Sequence, residues 1–506
     1  MAVSEPASTA APKRGTDGVR SGDRVGVVDI GSNTVRLVVY DAPTRLPIPI
    51  FNEKAQCALG SGMAKTGKLN PKGVAEALRS LARFVQLARA MDVTRLEMVA
   101  TAAVRDASDG AEFVDLVERT CGTPVHVLSG AEEARLAAVG LLNSAPDADG
   151  VLGDLGGGSL DLVSLEKGKI GTFATLPLGH LRLFEASGGD RAKARKILSD
   201  ALAQVPWLAD TGGRTLYAVG GSWRALARIF IEQTHHPLHV VDNFEIGFFD
   251  ALRLADLIAG LSRNTVEGLS GIAHRRIDTL PSAAMALSAL IEVARPAQVA
   301  FSAFGMREGQ MLEMLPPELR GQDPLISACE SQAERTGRFA IHGEEILDWM
   351  SPLFPDETAA QRRLRLATCL LSDIGWSEHP DYRALHSYHR VLRIPYPELT
   401  HPDRAEMALG VLVRYNGDPD DRMVAPHRNL LDEERRSRAR VIGLALRLAH
   451  TLSGGAPGLL PQTRLKFKNG RLILDVPEDR AVFVSEAVER RFKNLSRSMD
   501  LKPKIG

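Results

Sequence analysis

The sequence predicts a four-part protein: two α/β domains of the same topology, an all-helical domain, and a small C-terminal α/β unit. Three observations predict this fold class. A strand, a glycine-rich turn and a second strand occur twice, about 125 residues apart. The segment after residue 318 carries helical periodicity. Near the C-terminus, Asn469-Gly470 separates two alternating strands, which is typical of a tight hairpin.

The predicted boundaries follow these patterns along the chain. A length of 506 residues is too great for one hydrophobic core. The N-terminal residues are rich in Ala, Ser, Pro and charge, and they are predicted to be disordered. The predicted parts are a disordered tail (1–22), the first α/β domain (23–146), the second α/β domain (147–317), the helical domain (318–452) and the C-terminal α/β unit (453–506).

Composition argues against nucleic-acid-binding and membrane-spanning proteins. Lys+Arg and Asp+Glu both number 62, so no overall basic field exists to attract nucleic acid. No run of eighteen apolar residues occurs, so we expect no transmembrane helix. The four cysteines lack metal-ligand spacing and the N-terminus lacks a secretory signal, which together favour a cytoplasmic protein.

Three glycine-rich turns, at residues 29–34, 154–159 and 220–222, carry the chemical prediction. Glycine lets successive backbone N–H groups point inward and bind an anion, while Ser, Thr and Asn add donors. A single turn of this kind also fits a plain tight hairpin, but its repetition after a strand-ending Asp29 and Asp154 favours a phosphate site. The candidate phosphate-binding residues are Gly31, Ser32, Asn33, Thr34, Gly156, Gly157, Gly158, Ser159, Gly220, Gly221 and Ser222.

These turns, with further motifs, resemble the exopolyphosphatase and guanosine pentaphosphate phosphohydrolase family of the actin, Hsp70 and sugar-kinase superfamily. The resemblance implies duplicated ribonuclease-H-like (actin-like) domains, followed by a degenerate HD-like helical domain. Its most specific part is the Ser-Gly-x-Glu-Glu-Ala-Arg run. The matching stretches are Asp29–Leu37, Ala100–Arg105, Leu128–Arg135, Gly153–Ser159, Leu176–Gly179 and Met306–Gly309.

The resemblance assigns the catalytic base to Glu133 and an active-site cation to Arg105. A carboxylate is needed to orient and deprotonate the attacking water, and a guanidinium can grip the terminal phosphoryl group. Plainer roles exist for both residues. Glu133 could be a first-turn residue favoured by the helix dipole, and Arg105 could be a surface cation paired with Asp106 or Asp109. Arg36 is a weaker candidate, because it follows the first turn on a strand.

Mg²⁺ is the expected cofactor, with Asp154, Asp161 and Glu133 around the ion and its water. The family usually carries Ser-Thr-Glu where this chain has Ser159-Leu160-Asp161. The shorter Asp161 keeps the carboxylate but leaves open which residues are direct ligands of Mg²⁺.

In the HD-like domain that the resemblance implies, Asp373 follows Ser372 at a place where a His is expected. We therefore expect this domain to be a dimerisation or substrate-channel element and not a second metal site.

The expected activity is Mg²⁺-dependent hydrolysis of the terminal phosphoanhydride of inorganic polyphosphate. Hydrolysis of guanosine pentaphosphate (pppGpp) is the alternative, and a non-hydrolytic actin-like nucleotide-binding protein is the second. Residues 464–506 hold eleven cations against six anions, which fits either a groove for a polyanion or a basic solvated tail. The resemblance also implies a homodimer.

Overall fold

The computed structural model describes residues 24–41, 44–46, 49–268, 276–476 and 484–506. The chain divides into two compact units, Met1–Gln322 and Asp323–Gly506. The predicted mixed α/β class is confirmed, because strands and helices alternate through the first unit and recur in the second. The predicted disordered tail, residues 1–22, lies outside the described residues, and the division into four domains stays a prediction.

The first sheet contains β1 (Arg24–Ile30), β2 (Thr34–Tyr40), β3 (Pro49–Gln56), β4 (Val93–Ala100) and β5 (Val125–Val127). The order is β3-β2-β1-β4-β5. Antiparallel pairing joins β1, β2 and β3, whereas β4 and β5 are parallel to β1. The backbone N–H of Gly31 donates to the carbonyl of Thr34 at 3.0 Å and closes the predicted β1–β2 hairpin.

The second sheet contains β6 (Gly150–Leu155), β7 (Leu160–Glu166), β8 (Lys169–Leu176), β9 (Thr215–Val219), β10 (Phe244–Gly247) and β11 (Gln298–Phe301). The order is β10-β11-β9-β6-β7-β8. Antiparallel pairing joins β6, β7 and β8, and β9 is parallel to β6. Each sheet therefore places a hairpin next to parallel strands, and the first strand of each hairpin carries an aspartate one residue before its end.

Helices flank these sheets. The close approach of two of them requires glycine, because a Cβ on Gly140 would collide with the carbonyl of Gly305, and one on Gly309 with that of Leu136. The helices of the first unit are α1 (Met63–Thr66), α2 (Pro71–Ala90), α3 (Ala102–Asp106), α4 (Gly110–Cys121), α5 (Gly130–Leu142), α6 (His180–Ser187), α7 (Arg191–Leu202), α8 (Gly221–Gln233), α9 (Phe248–Ala259), α10 (Arg263–Glu267), α11 (Leu280–Ala294), α12 (Met306–Met314) and α13 (Pro317–Arg320).

The second unit is mainly helical and ends in a small sheet of order β12-β13-β14. Asn469 and Gly470 both have positive φ, as the predicted two-residue hairpin requires. Leu446 shares one core with Leu465, Leu472 and Phe492, so the small sheet packs on the helices. The elements are α14 (Pro324–Thr336), α15 (Gly343–Met350), α16 (Ala359–Leu370), α17 (Arg383–Leu392), α18 (His401–Arg414), α19 (Ala425–Arg428), α20 (Glu433–Leu452), β12 (Arg464–Lys468), β13 (Arg471–Asp475), α21 (Glu486–Arg497) and β14 (Lys502–Ile505).

The cysteines and the apolar helices bear on the environment of the protein. All four cysteines are buried and free, in keeping with reduced thiols. Among the described residues, no helix combines the length and the apolar composition that crossing a bilayer requires.

Candidate active site

A polar cavity of about 210 Å³ in the first unit lies at the carboxyl ends of β1, β6 and β9. The sequence had singled out the three turns that follow these strands. All eleven candidate phosphate-binding residues line this cavity, together with the three candidate metal ligands, which are Asp154, Asp161 and Glu133.

The first and second turns lie against each other. A Cβ on Gly158 would approach Oγ of Ser32 to 2.8 Å, and a Cβ on Gly157 would approach Cβ of Ser32 to 3.1 Å. The second turn is also packed from behind, since a Cβ on Gly179 would collide with the backbone of Gly157. Larger residues at these positions would force the turns apart. The glycines therefore allow the backbones of two turns from different sheets to approach one small volume.

The third turn fixes the start of α8 at the edge of the cavity. Gly220 has φ 104°, and a Cβ there would lie 2.5 Å from the carbonyl oxygen of Leu155 and 2.9 Å from Oδ1 of Asp154. A side chain would be both strained and obstructed. The N-terminus of the 13-residue helix α8 consequently sits beside the Asp154 strand end, where its free N–H groups favour an anion.

The adjacent glutamates Glu132 and Glu133 have different roles. Glu132 forms a capping box with Ser129, accepting from the Ser129 backbone N–H at 2.8 Å. Glu133 instead lines the cavity and has 13% side-chain exposure. Both residues lie in the first turn of α5, but only Glu132 makes the capping hydrogen bonds. The carboxyl group of Glu133 takes no part in the cap and faces the cavity.

Arg105 contacts Glu133 from α3. Its Nη1 donates to Oε2 of Glu133 at 2.9 Å and to the carbonyl of Leu128 at 3.0 Å, while its Nε donates to Asp106 at 3.2 Å. The surface pairing with Asp106 that the sequence left open is thus present. The contact with Glu133 was not expected from the sequence, and the predicted grip of Arg105 on the terminal phosphoryl group stays a prediction. Arg105 is absent from the described residues that line the cavity, so it reaches the site through Glu133.

The acidic side chains of the site have raised pKa values. Burial, reinforced by the negative charge of Asp161, raises the pKa of Glu133 to about 8, although Arg105 opposes the shift. Burial also raises the pKa of Asp161 to about 7 and that of Asp154 to about 6. Each group therefore releases its proton less readily than in water. A cation placed among them would favour the charged forms.

The candidate metal ligands lie on neighbouring elements. Asp154 and Asp161 are cross-strand partners in the β6–β7 pair, and Asp161 accepts hydrogen bonds from Ser159 at 3.2 Å and Thr175 at 2.7 Å. Within the described ranges, no three His, Cys, Asp or Glu side chains converge closely enough to hold a metal ion by themselves. Mg²⁺ commonly takes only one or two carboxylates and completes its shell with water and phosphate oxygens. Buried carboxyl groups with raised pKa values fit that mode of binding.

Several cavity residues were missed by the sequence reasoning or ranked low. His180 is 7% exposed, its Nδ1 has no hydrogen-bond partner within the described residues, and burial lowers its pKa to about 4. Arg36 and Arg224 each lie two residues after a glycine turn, His180 follows Gly179, and Arg307 and Glu308 lie in the Met306–Gly309 motif; that position was the signal available. The cavity residues in question are Arg36, Lys54, His180, Arg224, Arg276, Arg307 and Glu308.

The second unit holds Asp373 and His450, which the sequence analysis compared with the ligands of an HD-type metal site. Asp373 accepts from Arg338 at 2.9 Å and from Arg414 at 3.1 Å, and Nδ1 of His450 lies 3.5 Å away. Two guanidinium groups thus occupy the carboxylate that a metal would need. Whether this unit holds a metal ion stays a prediction, tested below with Asp373→Asn.

Two family profiles together match most of the chain. The Ppx/GppA phosphatase family matches residues 38–318, and the exopolyphosphatase C-terminal family matches residues 325–504. The first match includes the whole cavity except Asp29, Gly31–Thr34 and Arg36.

Individual proteins also resemble the chain. Retrograde regulation protein 2 of Saccharomyces cerevisiae is 26% identical over 436 residues, covering 78% of this chain and 73% of its own length. Exopolyphosphatase 1 of Mycobacterium tuberculosis is 28% identical over 336 residues, covering 63% of this chain and 95% of its own. The crystal structure of an exopolyphosphatase from Cytophaga hutchinsonii matches with a TM-score of 0.53 and 23% identity, covering 58% of this chain and 99% of that one. The last match shows a shared fold.

Proposed function

The chain belongs to the Ppx/GppA phosphatase family and is a phosphoanhydride hydrolase, and from that premise we propose that it is an exopolyphosphatase. Its reaction is the removal of the terminal phosphate from inorganic polyphosphate as orthophosphate. The observation that carries the proposal is the position of Glu133, a buried carboxyl group that lines the same cavity as three anion-binding turns. Such a cavity suits a terminal phosphoryl group together with one water molecule.

In the proposed reaction the three turns bind the terminal phosphoryl oxygens through backbone N–H groups and the hydroxyls of Ser32 and Ser222. Glu133 orients a water and accepts its proton as the water oxygen bonds to the terminal phosphorus. The phosphoanhydride bond breaks on the opposite side, and the shortened chain leaves with the electron pair on its new terminal oxygen. Arg105 opposes the rise in the pKa of Glu133 and orients its carboxyl group.

We further propose that Mg²⁺ is the cofactor. Asp154 and Asp161 would hold it, directly or through water, with Glu133 nearby. The ion supplies charge neutralisation at the phosphate oxygens. Support comes from the raised pKa values of these buried carboxyl groups, whose charged forms need a cation.

The proposal extends to the architecture. The two sheets of the first unit would be duplicated ribonuclease-H-like domains, supported by their shared arrangement of a hairpin beside parallel strands. The second unit would contain a degenerate HD-like domain that contributes to dimerisation or to a substrate channel. We expect a cytoplasmic homodimer.

Guanosine pentaphosphate is the second candidate substrate, because the family profile covers both phosphatase types by description. A non-hydrolytic nucleotide-binding role is a third candidate.

The test compares phosphate release from long-chain polyphosphate, pppGpp and ATP by the purified full chain, with Mg²⁺ and with EDTA. Release from polyphosphate at least about tenfold faster than from the other two is expected. Faster release from pppGpp would favour the second candidate, and binding of ATP without any phosphate release would favour the third.

A further inference from the structure

The first turn of helix α6 is bonded to the second glycine turn. The backbone N–H of His180 donates to the carbonyl of Gly156, and that of Leu181 donates to the carbonyl of Gly157, both at 3.1 Å. The preceding Gly179 lies so close to Gly157 that a Cβ on it would collide with the Gly157 backbone. The start of α6 is therefore fixed to one of the turns that are proposed to bind phosphate.

The same helix is connected to the carboxyl group of Glu133 by a chain of ion pairs. Nη2 of Arg182 on α6 donates to Oδ2 of Asp106 at 3.0 Å, and Oδ1 of Asp106 accepts from Nε of Arg105 at 3.2 Å. Arg105 donates in turn from Nη1 to Glu133 at 2.9 Å. These four side chains, called the ion-pair chain here, lie on α6, α3 and α5. The ion-pair chain therefore joins elements that follow strands of both sheets.

The guanidinium of Arg105 has a defined orientation because it is held at two of its nitrogen atoms. Nη1 donates to Glu133 and, at 3.0 Å, to the carbonyl of Leu128, whereas Nε donates to Asp106. With the Nη1 contacts alone, the planar group could pivot about that nitrogen. The contact with Asp106 therefore sets the angle at which Arg105 meets Glu133.

Asp106 needs a second partner to keep its own position. Its side chain is 34% exposed, and a single ion pair of an exposed carboxylate holds that carboxylate only weakly. Arg182, whose side chain is 22% exposed, binds the oxygen that Arg105 does not use. Within the described ranges, these two arginines are the cations paired with Asp106. Positive and negative groups thus alternate along the ion-pair chain, and no two like charges are adjacent in it.

Arg182 and Asp106 are both absent from the described residues that line the cavity. An effect of Arg182 on the reaction would therefore be transmitted, either through Asp106 to Arg105 or through the packing of α6 on the second turn. The two routes can be separated, because α6 makes another contact with the elements of the first sheet. In that contact, Oε1 of Glu185 accepts from the backbone N–H of Gly62 at 2.9 Å.

We propose that Arg182 and Asp106 are positioning residues for the hydrolysis. Arg182 fixes the carboxylate of Asp106, and that carboxylate fixes the angle of Arg105. The inference rests on the proposed function for the role of Glu133 as the base. Because α6 is bonded to the second glycine turn, the ion-pair chain also ties the base to that turn. The base and the bound phosphoryl group are thereby held in a fixed relative position, as in-line attack by water requires.

A double-mutant cycle tests these roles. Values of kcat and KM for phosphate release are measured for full-length Arg182→Ala, Asp106→Asn and the double variant. Glu185→Ala is the matched control, because it removes the other contact of α6 and leaves the ion-pair chain intact. Arg182→Lys is the conservative variant, because Arg182 contacts Asp106 through one nitrogen only and an ammonium group can replace it. Circular dichroism melting checks that each variant folds.

Arg182→Ala and Asp106→Asn should each lower kcat about tenfold and change KM less than about threefold, because orientation is lost and binding is not. The double variant should match Asp106→Asn alone, since Arg182 acts through that carboxylate. Arg182→Lys and Glu185→Ala should keep kcat within about threefold of the parent. Unchanged kcat in Arg182→Ala, additive losses in the double variant, or an equal loss in Glu185→Ala would overturn the proposal.

The unmutated chain is assayed first on long-chain polyphosphate and on pppGpp, which selects the substrate for the cycle. Hydrolysis of pppGpp alone would remove the proposed function, and the cycle on pppGpp would still decide the positioning roles. A crystal structure of Arg182→Ala gives a second readout that needs no turnover. Arg105 is expected there in more than one conformer. A single conformer that keeps the contacts of Arg105 with both Asp106 and Glu133 would overturn the proposal.

Discussion

Arg105 donates a hydrogen bond of 2.9 Å to Glu133 and reaches it from a different helix. Arg105 lies on α3, which follows the parallel strand β4, whereas Glu133 lies in the first turn of α5. The contact holds a carboxyl group whose pKa burial raises to about 8. Removing the cation would raise that pKa further and release the side chain from its position.

We expect Arg105→Gln to lower kcat by about 10²–10³-fold, because both the orientation and the charge of Glu133 are lost. A base must be deprotonated to act, so the alkaline shift of its pKa should move the rising limb of the pH–kcat profile upward. Steady-state phosphate release between pH 6 and 10 measures both effects. Arg135→Gln is the control, because Arg135 lies on the same helix as Glu133 but pairs with Glu313 away from the cavity. Equal losses in both variants would contradict the role of Arg105.

Replacing Gly220 with Ala should disturb the third turn. The residue has φ 104° and no room for a Cβ beside the carbonyl of Leu155. We expect a loss of about 1–3 kcal/mol in the free energy of unfolding from backbone strain alone, with a rise in KM. Urea denaturation and initial rates give the two quantities. Gly213→Ala, where φ is 75° and nothing lies within 4 Å, should lower stability by about 1 kcal/mol and leave KM unchanged. A Gly220→Ala enzyme with normal KM would show that the turn does not bind substrate.

His180 should make stability depend on pH. Burial and the nearby charge of Arg276 lower its pKa from 6.5 to about 4. Between these values the unfolded chain binds a proton that the folded chain does not. The stabilisation is therefore present above pH 6.5 and is lost as the pH falls toward 4, amounting to about 3 kcal/mol in the limit.

Denaturant unfolding of the wild type and of His180→Gln at pH 7.5, 5.5 and 4.5 tests this prediction. The variant should lose less stability than the wild type over that range. His235→Asn, at an exposed histidine, should follow the wild type. Parallel curves for the wild type and His180→Gln would rule out the buried neutral imidazole.

Asp373 should be structural. Its replacement by Asn leaves Arg338 and Arg414, which are 20% and 8% exposed, without their counter-charge. We expect a loss of about 3–5 kcal/mol in the free energy of unfolding, measured in urea. Activity and its dependence on Mg²⁺ should remain wherever the protein stays folded. Asp381→Asn, at a side chain 81% exposed, is the control and should change stability by less than about 0.5 kcal/mol. A changed Mg²⁺ dependence in Asp373→Asn would indicate a second metal site after all.

The elements with strong local patterns were predictable from the sequence. The sequence patterns predict a helix over Gly130–Leu142 and a strand over Gly150–Leu155, and both elements have these bounds in the structure. The capping sequence of the first and the continuous apolar run of the second account for this agreement. The glycine turns could also be located, because glycines directly after a short apolar strand are typical of a tight backbone turn.

Strands at the edges of the sheets were missed. Both β3 and β8 are largely exposed, and neither presents a continuous apolar run. The failure to predict β8 matters for the site, because β8 carries Thr175, whose hydroxyl donates a hydrogen bond to Asp161. The parallel addition of β14 to the C-terminal hairpin was missed for a similar reason: its sequence contains two lysines and a proline.

Glu132 caps the helix and Glu133 lines the cavity, and this difference depends on helix geometry that the sequence does not show. The sequence offered both as first-turn residues, and only the position of Ser129 as N-cap assigns the capping box to Glu132. The convergence of Arg36, Arg224 and Arg307 on the cavity is a still more distant case. Their positions near the turns and motifs place each of them close to the site, but no local pattern predicts that the three meet across two sheets.

The central claim is that Glu133 activates the attacking water, and the most direct measurement compares two adjacent substitutions. Phosphate release from long-chain polyphosphate is followed for Glu133→Gln and Glu132→Gln, with polyphosphate affinity determined for each. Glu133→Gln should lower kcat by about 10²–10⁴-fold and keep substrate binding within a few-fold, because the amide cannot accept the proton. Glu132→Gln should keep kcat and lose at most about 1 kcal/mol of stability through its weakened cap. Undiminished turnover by a folded Glu133→Gln protein would contradict the claim.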